Sequence, residues 1–231
     1  MRKDLSFLTS AIPQLQPLLE EVLIIGGAIV PLYITDPSIL YVRPTLDIDI
    51  LTAATTYTAY QATVDKLLAL GFSHDISGPI CRFVKAQLIV HLMSADHDVL
   101  GFSNRWYRQA LATSQLFLLP NGLGIRIPTA PLMLATKLDA YGSRGKSDPA
   151  ISKDLDDIVS LIDGRAELGE EIRQSDADLQ NFIATSLHEI VHHKIVRHIL
   201  PGLFLGPDAA SRHDRFHQRL SSLTSNNPMA Y

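Results

Sequence analysis

Two aspartates one residue apart, Asp47 and Asp49, are the side chains whose type and spacing point most directly to chemistry. They lie in Leu46-Asp47-Ile48-Asp49-Ile50-Leu51, where apolar and acidic residues alternate. That alternation is the period of a half-buried β-strand, and it turns both carboxylates to one face. Leu46, Ile48 and Ile50 are then expected to point the other way, into a core. Two carboxylates held a few ångströms apart repel each other, and a divalent cation relieves the repulsion. Mg²⁺ suits such a pair because it takes oxygen ligands, usually a few carboxylates with substrate phosphates completing the set. A solvated strand face with no function is the plain alternative reading of the same three residues.

Upstream, Gly26-Gly27 closes the apolar run Val22–Ile25 and precedes a segment suited to a short helix. Strand, glycine turn and helix in that order leave backbone N–H groups open to a phosphate, although a simple tight turn has the same sequence. Arg43, four residues before Asp47, suits a phosphate or an aspartate partner. A separate constellation lies near the end of the chain. His188-Glu189-Ile190-Val191-His192 is an H-E-x-x-H, which on a helix offers two imidazoles to Zn²⁺ and a glutamate as general base. The zinc-protease reading is weak, because the glycine that would turn a third histidine inward is replaced by Ile195 and the run is expected to continue as straight helix through His198. Lys194, Arg197, Arg212 and Arg215 in the same region are candidates for a local RNA-facing patch or for a solvated helix face.

The elements that must position these groups are legible in outline. Residues 5–20 are expected to be an amphipathic helix, 22–25 a buried strand, 28–34 a short helix, 46–51 a strand and 58–70 a helix. Arg82–Lys85 and Leu88–Met93 are expected to pair around a turn at Ala86-Gln87. Further helices are expected over 104–114, 131–141, 152–163, 176–200 and 209–223, with a short strand at 124–127, a loop at 142–149 and a frayed tail at 226–231. The fold class is therefore α/β (α+β): residues 1–127 form an α/β core with a mixed sheet, and residues 128–231 form a helical subdomain that completes a ligand cleft.

Composition narrows the function classes. The 231 residues are 46% hydrophobic and 19% charged, as expected of a globular chain with a sizeable core. A net charge of −4 argues against a basic nucleic-acid binder, so any RNA contact has to be local. The single cysteine, Cys81, rules out a disulfide within the chain and suits a cytoplasmic setting. The first twenty residues lack a signal peptide's apolar stretch, and no apolar run is long enough for a membrane span.

Taken together, IIGGAIVPLY and YVRPTLDIDIL resemble the signature of AbiEii-type toxin nucleotidyltransferases of the polymerase-β superfamily. Gly26, Gly27, Arg43, Thr45, Asp47, Ile48 and Asp49 fall in the family's pattern. A second block also matches, with Lys137-Leu138-Asp139-Ala140, Arg144, Lys153-Asp154 and Asp157-Ile158. The resemblance implies a polymerase-β-like core that transfers a nucleoside monophosphate from an NTP to a hydroxyl. Asp47 and Asp49 would bind Mg²⁺ or Mn²⁺, and Gly26, Gly27, Arg43, Thr45 and Arg144 would help bind the nucleotide. Lys137 would reach the triphosphate, with Asp154 orienting it. The acceptor implied is RNA, with tRNA one form of it, and the partner implied is an antitoxin protein. One departure stands out. Where the superfamily often carries a third carboxylate, this chain has Val90-His91-Leu92-Met93. His91 as base, Asp96 or Asp98 as stand-ins, and a nucleotide-binding regulatory protein of little activity are the options this leaves, beside a packed core histidine.

Overall fold

The structure is a computed structural model that describes residues 5–39, 42–206 and 208–224. It is a mixed α/β chain with a mixed sheet. The chain divides into two compact units, one made of Arg2–Pro31 and Pro44–Thr129, the other of Leu32–Arg43 and Ala130–Tyr231. The segment Leu32–Arg43, just ahead of the D-x-D strand, thus belongs to the helical unit.

The first unit begins with α1 (Ser6–Ala11), which runs into a 3₁₀ turn over Ile12–Leu18. A single helix was expected there, but Pro13 and Pro17 remove backbone donors and tighten the chain instead. Strand β1 (Val22–Ile25) is buried throughout. Gly27–Ile29 forms a 3₁₀ turn and α2 (Val30–Tyr33) leads out of the unit, so the expected helix over 28–34 is two short pieces. Strand β2 (Asp47–Thr52) is followed by α3 (Tyr57–Ala69), β3 (Ser73–His74), β4 (Arg82–Lys85), β5 (Leu88–Ser94), α4 (His97–Leu100) and α5 (Tyr107–Ala112). A separate two-stranded ribbon joins β6 (Gln115–Leu118) to β7 (Gly124–Ile127). The main sheet runs β1-β2-β5-β4-β3. β1 pairs antiparallel with β2, β2 parallel with β5, and β5 antiparallel with β4. The parallel pair needs a crossover, which α3 and the β3–β4 strands supply. The β4–β5 hairpin turns through Ala86, whose φ of 52° lies in the left-handed region. Ile48, Ile50, Val90 and Leu92 are fully buried on the core side of the two central strands. Leu46 is not; it lies ahead of β2 and is 74% exposed, contrary to the strand expectation.

The second unit is helical: α6 (Ala130–Ala140), a π-helical turn over Tyr141–Gly145, α7 (Lys153–Gly164), α8 (Leu168–Arg173), α9 (Ala177–His192), α10 (Lys194–Ile199) and α11 (Ala209–Thr224). Helix α6 is buried nearly all round, as befits a central helix. Ser152 caps α7 by accepting from the Leu155 amide. At the other end of α7, Arg212 and Arg215 pair with the fully buried Asp163, and Arg219 donates to the carbonyls of Ile162 and Asp163. Those arginines therefore cap α7 and hold α11 against it. The amides of Thr35 and Asp36 donate to the Gly164 carbonyl, which docks the Leu32–Arg43 segment on the same helix end.

Four helical expectations change. Helix α7 runs through Gly164, past the expected end at 163, and α8 was not expected. The region 142–149 is not simply loop, because α6 continues into the π turn. The run 176–200 is broken: His193 is extended, with φ −70° and ψ 121°, and separates α9 from α10. The expected tail 226–231 lies outside the described residues. Among the described residues, no helix is long and apolar enough to cross a membrane.

Candidate active site

Each unit gathers some of the charged side chains singled out in the sequence. In the sheet unit the cluster forms because β2 and β5 are parallel neighbours in a fixed register. Asp49 stands opposite His91, and Asp47 opposite Ile89. Side chains alternate along a strand, so Asp47, Asp49 and His91 share one face while Ile48, Val90 and Ile50 fill the core behind them. The His91 Nδ1 lies 2.9 Å from Asp49 Oδ1 and 3.9 Å from Asp47 Oδ2. The Thr45 hydroxyl donates to Asp47 Oδ1, which fixes that carboxylate from the preceding turn. The Asp47 and Asp49 side chains are 32% and 26% exposed, open enough to reach a cation from solution.

Gly26 completes this face. Strand β1 ends beside Asp49, with Ile25 opposite it, and the chain then turns at Gly26 with φ 80° and ψ −169°. That conformation is essentially restricted to glycine. A Cβ at Gly26 would stand 1.8 Å from Asp49 Oδ2 and 2.7 Å from its carboxyl carbon. The position is therefore glycine for two reasons, its backbone and the carboxylate packed against it. The chain continues into a three-residue 3₁₀ turn rather than a regular helix, so a helix dipole contributes little to phosphate binding there.

His91 is not a packed core histidine, because it is half-buried and bonded to Asp49. Asp96 and Asp98 are engaged otherwise. Asp96 caps α4 by accepting from the Asp98 amide and pairs with Arg108 at 2.7 Å, while the Asp98 side chain is 96% exposed.

In the helical unit the cluster links α6, the π turn, α7 and Arg43. The Lys137 ammonium lies 2.7 Å from Asp157 Oδ2 and 3.4 Å from Asp154 Oδ1. Arg144 grips Asp154 with two bonds, at 2.8 and 3.2 Å. Arg43 reaches Asp157 at 3.2 Å, so its aspartate partner is Asp157. Lys137, Asp154 and Asp157 are all buried. Burial raises the Asp154 pKa, but the Arg144 bonds and Lys137 outweigh it and hold this carboxyl below the usual range. Asp156 behaves oppositely: burial pushes it up, against the pull of Arg43 and with help from Asp157. Arg43, Asp156, Ser160, Leu203 and Arg212 also line a cavity of about 210 Å³ within this unit. Asp157 was not singled out in the sequence for a role. The available signal was its place three residues after Asp154, on the same face of one helix.

The H-E-x-x-H region is built differently. His188 and His192 stack with ring centroids 4.1 Å apart, His192 Nδ1 lies 2.7 Å from the His188 carbonyl oxygen, and Glu189 pairs with Lys146 at 2.7 Å. The break at His193 replaces the straight helix through His198 that was expected. Arg212 and Arg215 are likewise turned to Asp163, Arg212 buried and Arg215 partly exposed, while Lys194 and Arg197 are exposed. Among the described residues no group of three or more histidine, cysteine, aspartate or glutamate side chains is placed to hold a metal ion. No protein-family model matches the chain, and no curated protein matches it significantly.

Proposed function

We propose that the chain is a nucleotidyltransferase of polymerase-β type that moves a nucleoside monophosphate from an NTP to an acceptor hydroxyl. The observation that carries the reading is the face formed by Asp47, Asp49 and His91 with Asp49 packed against Gly26. Asp47 and Asp49 fit a hard divalent cation, because both are oxygen donors, share a face and remain accessible. A bound Mg²⁺ or Mn²⁺ would neutralise phosphate charge as it develops. Gly26 makes room for Asp49 and Thr45 fixes Asp47, with Gly27 next in the chain. The resemblance assigns Lys137 and Arg144, which Asp154 and Asp157 steady within the helical unit, to the triphosphate, and Arg43 joins that charged set. As the acceptor oxygen bonds to the α-phosphorus, the bridging P–O bond breaks, pyrophosphate leaves and the hydroxyl proton is released. The resemblance extends the proposal to an RNA acceptor such as tRNA and to a toxin role with an antitoxin partner.

The test is incubation of the chain with each labelled NTP, total RNA and Mg²⁺ or Mn²⁺. Label should pass to RNA and be lost in Asp49→Asn, a variant that keeps the shape of the side chain. If no NTP labels RNA and none raises the melting temperature in the presence of metal, the reading fails. A second reading, a nucleotide-binding regulatory protein of little activity, is favoured by His91 standing where a third carboxylate is usual. It predicts an NTP-dependent rise in melting temperature without label transfer.

A further inference from the structure

We propose that His91 is a third donor to the cation held by Asp47 and Asp49, and that it biases this site towards Mn²⁺ over Mg²⁺. The inference rests on the cation site proposed above and concerns which ion that site selects.

The argument starts from register. Parallel strands stand about 4.8 Å apart, and residues opposite one another share a face. Asp49 and His91 are such a pair, so the imidazole is fixed beside the carboxylate by the backbone and not by a chance rotamer. The ring presents Nδ1 to both acids, at 2.9 Å from Asp49 Oδ1 and 3.9 Å from Asp47 Oδ2. Two donors at right angles around an ion, each bonded at about 2.1 Å, stand about 3 Å from one another. The Nδ1–Oδ1 separation of 2.9 Å already matches that edge. Asp47 Oδ2 is farther away, and bringing it to the ion takes a turn of that side chain against the Thr45 bond at its Oδ1.

Without metal, the Nδ1–H donates to the Asp49 carboxylate. As a ligand the ring carries its proton on Nε2 and gives the Nδ1 lone pair to the ion, which takes a rotation of the ring or of the Asp49 carboxylate out of the line of that hydrogen bond. The resulting donor set is two carboxylates and one imidazole. Mg²⁺ gains little from exchanging a water for nitrogen, because it favours oxygen ligands and loses water reluctantly. Mn²⁺ is the weakest of the first-row series from Mn²⁺ to Zn²⁺ for such ligands, yet as a transition ion it takes an imidazole nitrogen more readily than Mg²⁺ and keeps its affinity for carboxylates. A carboxylate at this position would serve either ion, whereas the histidine separates them.

The experiment uses the full chain, metal-free and without nucleotide. Mn²⁺ and Mg²⁺ affinities are measured by titration calorimetry, and bound Mn²⁺ is examined by pulsed EPR for modulation from a directly coordinated nitrogen. Wild type should show that nitrogen signal and should prefer Mn²⁺. His91→Asn, which retains a hydrogen-bonding side chain beside Asp49, should lose the signal and weaken Mn²⁺ binding on the order of tenfold or more, with Mg²⁺ nearly unchanged. His91→Asp should tighten Mg²⁺ and narrow the preference. Bound Mn²⁺ without a nitrogen signal in wild type overturns the inference, whether or not the variants fold, and leaves the nucleotidyltransferase reading standing. Equal effects of His91→Asn on both ions would overturn it too, and would assign His91 to holding Asp49 in place. If neither ion binds wild type, even with NTP added, the cation site itself fails and both proposals fall.

Discussion

Gly26 illustrates how one residue's backbone serves a neighbour's side chain. Its φ of 80° and ψ of −169° exclude ordinary side chains, and the space a Cβ would need is filled by Asp49. Gly26→Ala therefore combines backbone strain with displacement of Asp49 from His91. A loss of about 2 kcal/mol in urea unfolding is expected, since strained backbone of this kind costs about 1–3 kcal/mol. Divalent-cation binding should weaken in the same variant. A variant as stable as wild type would mean that the Asp49 side chain moves aside freely and that the close packing is dispensable. His91 teaches a related lesson: its type is visible in the sequence, but its pairing with Asp49 comes from the β2–β5 register.

Helices α6 and α7 are joined by a charged link as well as by apolar packing. Lys137, in the last turn of α6, is the residue that the resemblance sends to a triphosphate. It is 7% exposed and bonded to both Asp154 and Asp157 of α7. Removing one partner of a buried ion pair leaves the other uncompensated, typically at about 3–5 kcal/mol. Arg43 and Arg144 still neutralise the two aspartates, so Lys137→Ala should cost about 3 kcal/mol, the lower end of that range. Chemical denaturation measures this directly, and an unchanged midpoint would refute the structural role. Lys137→Arg, which keeps the charge but not the compact ammonium, is then the better variant for separating nucleotide binding from stability.

At the scale of the whole molecule, pH reports how far these clusters hold the fold together. Asp154 is depressed in the folded chain, because Arg144 and Lys137 outweigh its burial. A depressed carboxyl stabilises the folded state at pH values above its unfolded pKa of about 4, and that contribution disappears as pH falls through the lower folded value. The Asp154 contribution to urea stability should thus be constant from neutral pH down to about 4 and decline below it. Asp154→Asn should be less stable at neutral pH and should show a shallower acid decline. An acid limb of unchanged depth in that variant would mean that other carboxylates govern it, such as Asp36, which its Ser38 bonds and Arg215 also lower despite burial.

The sequence alone determined the local elements with strong periodicity: β1, the β4–β5 hairpin, α3, α7 and the two-carboxylate face of β2. Each depends on contacts within a few residues, where alternation, a turn or a cap suffices. It also exposed Asp47 and Asp49 by their alternation, whereas Lys137 and Asp154 were singled out by the family resemblance. Only the tertiary structure decided what those residues touch. The packing of Asp49 against Gly26, the Arg43–Asp157 pair and the turning of Arg212 towards Asp163 join residues far apart in sequence. The break at His193 and the ribbon strand β6 were missed for a related reason. A helical period runs on across His193, and among the described residues Gln115–Leu118 pairs with β7 alone. Such features are fixed by packing and pairing, which act through space and leave no period along the chain.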